Sequence, residues 1–243
     1  MATPATLDLQ AVHDLLVDVA KQAGKTILAA NPLVHGTTSK TNCKLGNAPV
    51  FVCDPIDGTV NFVHGFPWVC TSLALVISGD PVVGVIYNPF QKTLYSAIKG
   101  RGNFLDLTTP LPLRRNPEAL STLQQALVAC EWGAGRTGNN FDVKHRTFTS
   151  LARAIEDGGA MVHSIRSTGS AALNFAMVAC GVLDLYWEGA AETGGIVVDT
   201  NRGNWHVGLD GRRYMAVRGA PSGQKKLVEE FWSHVAGQLD YHA

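Results

Sequence analysis

In the stretch FVCDPIDGTVNFVHG, residues 51–65, the carboxylates Asp54 and Asp57 stand three positions apart at the end of an apolar run. Pro55 fixes the backbone between them, so both side chains and the Ile56 carbonyl can converge on one cation. Hard oxygen donors of this kind suit Mg²⁺. Gly58 and Thr59 come next. If a helix opens there, its free N–H groups and the Thr59 hydroxyl face any phosphate bridged to the metal. The plainer reading is a turn, since Asp-Pro and Asp-Gly are both common turn pairs.

The elements around this stretch alternate. Leu9, Val12, Leu16, Ala20, Ala23 and Ile27 recur at helical spacing, and Asn31-Pro32 ends the pattern. Residues 34–49 are polar and aperiodic, which reads as a loop. VFVC is expected as a buried strand ending at Cys53, with a short helix starting near Val60. TSLALVI and VVGVIYNP read as strands separated by Ser-Gly-Asp-Pro, and KTLYSAIKGRGNFLD as a further strand and turn. Composition shifts after Pro110-Leu111-Pro112, and ALVACEW opens a second lobe with a short buried strand. A helix over about 142–156 follows, and then a strand, a small-residue turn, an apolar helix and a strand ending at Glu188. Ile196–Asp199 and Tyr214–Val217 read as late strands and Lys225–Gln238 as a closing helix. The alternation points to a layered α/β architecture, as one domain over 1–243 with a first lobe to about residue 120 and a second from about 121.

The bulk composition excludes several functions. Twenty basic and twenty acidic residues give a formal net charge of zero. No long-range field therefore recruits nucleic acid or an anionic membrane. No apolar run approaches the ~18 residues of a membrane span and no basic leader opens the chain, so a cytoplasmic protein is expected. The five cysteines are scattered and mostly set in apolar runs, as reduced core residues rather than zinc ligands. Cys53 reads as core rather than nucleophile, because an apolar strand raises a thiol's pKa. Ser167 and Ser170 fit helix N-capping, and Gly100-Arg101-Gly102 fits a turn.

DPIDGTVNFVHGFP resembles the signature of the inositol monophosphatase family of Mg²⁺-dependent phosphomonoesterases. GVIYNP, KGRGNF and EWG resemble its following strands, and IRSTGSAALN with LDLYWEG resembles its second-lobe substrate segment. The wording of VNFVHGFP and LYWEG is most similar to filamentous-fungal members associated with quinate-use gene clusters. The resemblance implies an α-β-α-β-α sandwich of the sugar-phosphatase type and a homodimer. It implies Asp54, the Ile56 carbonyl and Asp57 as metal ligands, with Asp54 and Thr59 catalytic. Gly58 and Thr59 then contact phosphate, Ala171 lies in a substrate-contacting turn, and Glu188 meets the ring hydroxyls. The implied reaction is attack of a metal-activated water on the phosphorus of inositol monophosphate or a similar polyol phosphate, with Mg²⁺ as cofactor.

Two segments of the family pattern are missing. No Asp or Glu lies between Asp18 and Asp54, where the family places a metal-binding, water-orienting glutamate. Only three residues separate Glu188 from Glu192, where the family places a Trp-Asp helix start closing a second metal site. An internally truncated sandwich of this kind is expected to expose sheet surface that helices otherwise cover. The sequence also admits a catalytically silent, ligand-binding relative, or the product of a truncated transcript or gene model.

Overall fold

Asp8 starts the first helix: its carboxylate accepts from the backbone N–H groups of Gln10 at 2.9 Å and Ala11 at 3.3 Å. The helix, α1, runs Leu9–Ala29 and buries Val12, Leu16, Ala20 and Ile27, the stripe read from the sequence. The protein is described from a computed structural model covering residues 7–30, 48–113, 117–133, 135–187, 203–205 and 214–240, with the backbone of 196–198. The chain divides into two compact units, 1–110 and 111–243.

In the first unit β1 (Val50–Asp57), β2 (Cys70–Ile77), β3 (Asp80–Asn88), β4 (Thr93–Ile98), β5 (Gly102–Leu105) and β6 (Thr109–Pro110) form one antiparallel sheet in sequence order. Each neighbour is also the next strand in the chain; short turns join β2 through β6, while β1 reaches β2 through a longer connection that holds a short helix. Ser78 and Gly79 both take positive φ, 52° and 80°, between β2 and β3. Their twist matches that of the flanking strands.

Strand alternation and register put Phe51, Leu75, Val83 and Ile98 on one face, together with Cys53, Leu73, Val85 and Ser96. Val12, Leu16, Val17 and Ala20 of α1 pack on that face against Leu73, Leu75, Val83 and Val85. Gly24 permits the approach, because a Cβ there would meet the Tyr87 ring at 2.5 Å. Helix α1 covers β2 to β4. Among the described residues no helix covers edge strand β1, where Phe51 is 59% and Val52 41% exposed.

The expectation of a buried VFVC strand is therefore overturned. An apolar run at a sheet edge is buried only if another element covers it, and α1 stops short. Cys53 is exposed for the same reason, against the expectation that it belongs to the core, while Cys70, Cys130 and Cys180 are buried. Cys43 lies outside the described residues.

The second unit is a mixed sheet of β7 (Leu127–Cys130), β8 (Ser164–Arg166), β9 (Leu185–Trp187), β10 (Ile196–Val198) and β11 (Met215–Val217), ordered β10-β11-β9-β7-β8. β7 runs parallel to β8 and β9, and β11 runs antiparallel to β9 and β10. Alternate side chains enter two cores. Val128, Cys130, Trp187, Met215 and Val217 pack with α3 (Gly138–Ala152) and α5 (Gln224–His234). Ala129, Tyr186 and Ala216 pack with Phe175 and Val178 of α4 (Ala171–Ala179). This unit is thus layered α-β-α, its sheet covered on both faces as parallel strands require.

Helix α3 begins four residues before the expected 142, since its first turn, Gly-Asn-Asn, carries no apolar signal. It ends at Ala152 because Arg153 is extended, and a separate 3₁₀ turn, Ile155–Asp157, supplies the remainder of the expected helix.

Candidate active site

The acidic turn grows out of a bulge. Asp54 pairs with Ser72 and Asp57 with Cys70, so β1 spends three residues where β2 spends two. Pro55 has no N–H to donate to a ladder, and the extra residue re-aims the strand. Strand β1 consequently runs to Asp57 rather than stopping at Cys53 as the sequence reading supposes.

Gly58 follows with φ 84°, a left-handed conformation that favours glycine. It caps the six-residue helix α2 (Thr59–His64). The Thr59 hydroxyl donates to the Ile56 carbonyl at 3.1 Å, closing the turn on itself. Two residues of the sequence-derived set are thereby joined, the expected phosphate contact Thr59 and the expected metal ligand Ile56. The carbonyl keeps a second lone pair, and the hydroxyl is spent as a donor.

Asp54 and Asp57 are both half-buried, and Oδ1 of Asp54 is shielded from solvent. The thiol of Cys70 donates to Asp57 Oδ2 at 3.8 Å. Although Cys53 is surface-exposed, surrounding protein first and the Asp54 charge second hold its thiol pKa up. It is poorly suited to act as a nucleophile.

The donor set at this turn is two carboxylates and one carbonyl, all hard oxygen. No group of three or more His, Cys, Asp or Glu side chains gathers among the described residues. Two carboxylates fit Mg²⁺, an ion that keeps several waters and shares its remaining positions with substrate phosphate.

Ala171 belongs to the second unit, as the first residue of α4. Because β7, β8 and β9 are parallel, the residues after Cys130 and Arg166 leave the sheet at one edge. The chain passes from β7 to β8 on one side of β7 and then to β9 on the other. Such a reversal of strand order marks the crevice where open α/β sheets bind ligands.

The turn there is pinned by Glu131. Its Oε1 accepts from the backbone N–H of Thr168 at 2.8 Å, the N–H of Gly169 at 2.9 Å, Asn174 Nδ2 at 2.7 Å and, at 3.4 Å, the Thr168 hydroxyl. Its Oε2 accepts from the Ser167 hydroxyl at 3.0 Å. Ser170 caps α4 as expected, accepting from Leu173 N–H at 3.2 Å. Ser167 does not cap a helix: its hydroxyl is engaged by Glu131.

Sequence reasoning passed over Glu131. An acidic residue directly after a buried strand, opposite a glycine-containing turn, was the available signal. Glu188 lies outside the described residues.

Comparison with known proteins follows the same line. The profile described as "Inositol monophosphatase family" matches residues 3–236. The chain is 44% identical over 240 residues to "Inositol monophosphatase 2" of Saccharomyces cerevisiae, covering 91% of this chain and 78% of that protein. It is 37% identical over 227 residues to "Quinic acid degradation cluster protein x" of Neurospora crassa, covering 79% and 66%. Fungal quinate-cluster proteins are thus among its relatives, at lower identity than the yeast protein. The fold matches the crystal structure of the extragenic suppressor protein suhB from Bartonella henselae with a TM-score of 0.70 at 22% identity, over 91% of this chain and 98% of that one. With the strand-bulge-helix corner intact and the profile spanning nearly the whole chain, this protein belongs to the inositol monophosphatase family, a family of phosphomonoester hydrolases.

Proposed function

We propose that the chain hydrolyses a small phosphate monoester, with inositol monophosphate the foremost candidate, using Mg²⁺ held by Asp54, Asp57 and the Ile56 carbonyl. The observation that supports this reading is the bulge at Pro55-Ile56, which re-aims the strand between the two carboxylates directly before the left-handed Gly58. When bound, Mg²⁺ supplies Lewis-acid stabilisation of charge on the phosphoryl oxygens.

The chain's own residues do the rest. Asp54 and Asp57 provide the negative charge that makes the corner selective for a hard cation. Gly58 supplies the left-handed turn that opens α2 and is assigned to the phosphate, and the Thr59 hydroxyl holds the Ile56 carbonyl in place. Ala171, at the start of α4, contacts the alcohol portion, and Glu188 is assigned to its hydroxyls. We take the two units as lobes of one domain, in a cytoplasmic homodimer.

The test is phosphate release from inositol monophosphate across a Mg²⁺ titration, with Asp54→Asn alongside. Metal-dependent release that the substitution reduces by at least about 10²-fold supports the proposal. No release above that variant from a chain that melts cooperatively overturns it.

A second reading, a ligand-binding relative that does not turn over, is favoured by one observation. Among the described residues Asp54 and Asp57 belong to no group of three or more His, Cys, Asp or Glu side chains that could hold a metal ion. Under that reading Mg²⁺ with inositol monophosphate raises the melting temperature without releasing phosphate.

A further inference from the structure

Two successive backbone N–H groups, of Thr168 and Gly169, converge on one point just before the N-terminus of the nine-residue helix α4. Convergent amides ahead of a helix form the kind of concavity that takes an anion. Here the anion comes from the chain itself. We propose that Glu131 is a built-in anion that fills this concavity, closes it to phosphate, and so leaves the turn to an uncharged, hydroxyl-bearing group.

The geometry is specific to that role. Glu131 Oε1 lies within 2.9 Å of both amides, and Asn174 Nδ2 donates to the same oxygen at 2.7 Å. Asn174 is held in that orientation because its Oδ1 accepts from the Thr168 hydroxyl at 2.8 Å. Asn174 is fully buried, so the clamp has a rigid floor. Every donor named here is neutral, and the Glu131 charge is therefore spread over hydrogen bonds. The basic residue nearest the Thr168-Gly169 turn in sequence, Arg166, donates to the Ser164 hydroxyl and the Ile165 carbonyl instead, and Arg136, nearest Glu131, to the Gly133 and Gly135 carbonyls.

A carboxylate at the centre of the turn repels a second anion arriving there. The phosphate of a substrate is consequently directed away from α4, and a second anionic group on the substrate is disfavoured. This specificity consequence rests on the reading that the Ala171 turn contacts the substrate. The occupancy of the amides by Glu131 does not.

The experiment uses the full chain labelled with ¹⁵N and titrated with inorganic phosphate alone, reading the Thr168 and Gly169 amide resonances. In the wild type no saturable shift is expected. In Glu131→Ala the emptied amides give a saturable shift. Glu131→Gln keeps the hydrogen bonds, with its carboxamide donating to Ser167, and removes only the charge. It is expected to bind phosphate about tenfold more weakly than the alanine variant and measurably better than the wild type.

A saturable shift in the wild type overturns the proposal, as does a folded alanine variant with no response. If the alanine variant does not fold, a glutamine variant indistinguishable from the wild type overturns it equally.

Turnover gives an independent arm. The preference for inositol monophosphate over an inositol bisphosphate, as a ratio of kcat/KM, falls about tenfold in Glu131→Gln. Loss of monophosphate activity equal to that for the bisphosphate overturns the specificity claim. A wild type that releases no phosphate from either ester, yet shows the expected amide responses, removes the hydrolase reading and leaves the Glu131 assignment standing.

Discussion

The two units treat their sheets in opposite ways. In the second, β9 and β11 are buried at every position and β7 at all but its first. Helices pack on both faces. In the first, no residue of β1 is fully buried, and Phe51, Val52 and Cys53 are exposed in succession. The carboxylates follow the same division. Glu131 is held by five hydrogen bonds from its own turn. Asp54 and Asp57, both half-buried, flank a bulge at the end of a strand whose Phe51 and Val52 are exposed. The lesson is that a carboxylate locked by the fold shapes a site, whereas one set on an open edge serves a ligand.

The strongest test of that division lies in the second unit. Arg218 is buried, and its Nε donates to Asp184 Oδ1 at 2.6 Å while Nη2 donates to the Glu118 carbonyl at 3.1 Å. Asp184 Oδ2 accepts from the Leu127 N–H at 2.8 Å, so the pair ties β7 to the segment entering β9. Arg218→Ala removes a buried guanidinium and leaves a half-buried carboxylate without its charge partner, and should cost about 3 kcal/mol in urea unfolding. Replacing both partners, as Asp184→Leu with Arg218→Met, should recover most of that loss. A single variant within about 1 kcal/mol of wild type breaks the claim that this unit is closed.

Comparable in size is a matched pair of phenylalanines. Phe231, on α5, is fully buried and lies 5.9 Å from the Trp187 ring, centroid to centroid. Phe231→Ala should destabilise by about 3–5 kcal/mol. Phe51→Ser, at 59% exposure on β1, should stay within about 0.5 kcal/mol of wild type. Equal costs would show that β1 is covered in solution and would erase the contrast between the two sheets.

What the sequence made legible follows from where the deciding contacts lie. Helix α1 was readable because its stripe needs only i, i+3 and i+4 neighbours. The β2–β3 hairpin was readable because Ser78-Gly79 is a local turn signal. The acidic corner was readable because its donors sit within four residues. The openness of β1 was not, since VFVC has the same composition whether or not a helix covers it. The bulge was missed because register is a property of two strands. Glu131 was missed because its partners lie 36 to 43 residues away, on a turn that becomes its neighbour only when β7 and β8 pair.

The smallest effect expected is a pH dependence, and it too belongs to the closed unit. His234 ends α5, and its Nδ1 lies 2.9 Å from the Ser150 hydroxyl of α3. Burial lowers its pKa below the ordinary 6.5, and the charge of Glu230 opposes that shift without cancelling it. The sign follows by linkage. With the folded value below the unfolded one, the unfolded chain takes up the proton first as the pH falls through 6.5, and the folded state loses stability there. Above that range His234 is neutral in both states and contributes no slope. Urea midpoints compared for wild type and His234→Gln between about pH 8 and pH 5 should therefore run parallel above 7 and diverge below it, with the wild type falling faster. If the wild type instead gains on the variant in acid, the imidazolium is stabilised in the fold. Glu230 would then outweigh burial, and the seam between α3 and α5 would be wetter than the packing of the second unit implies.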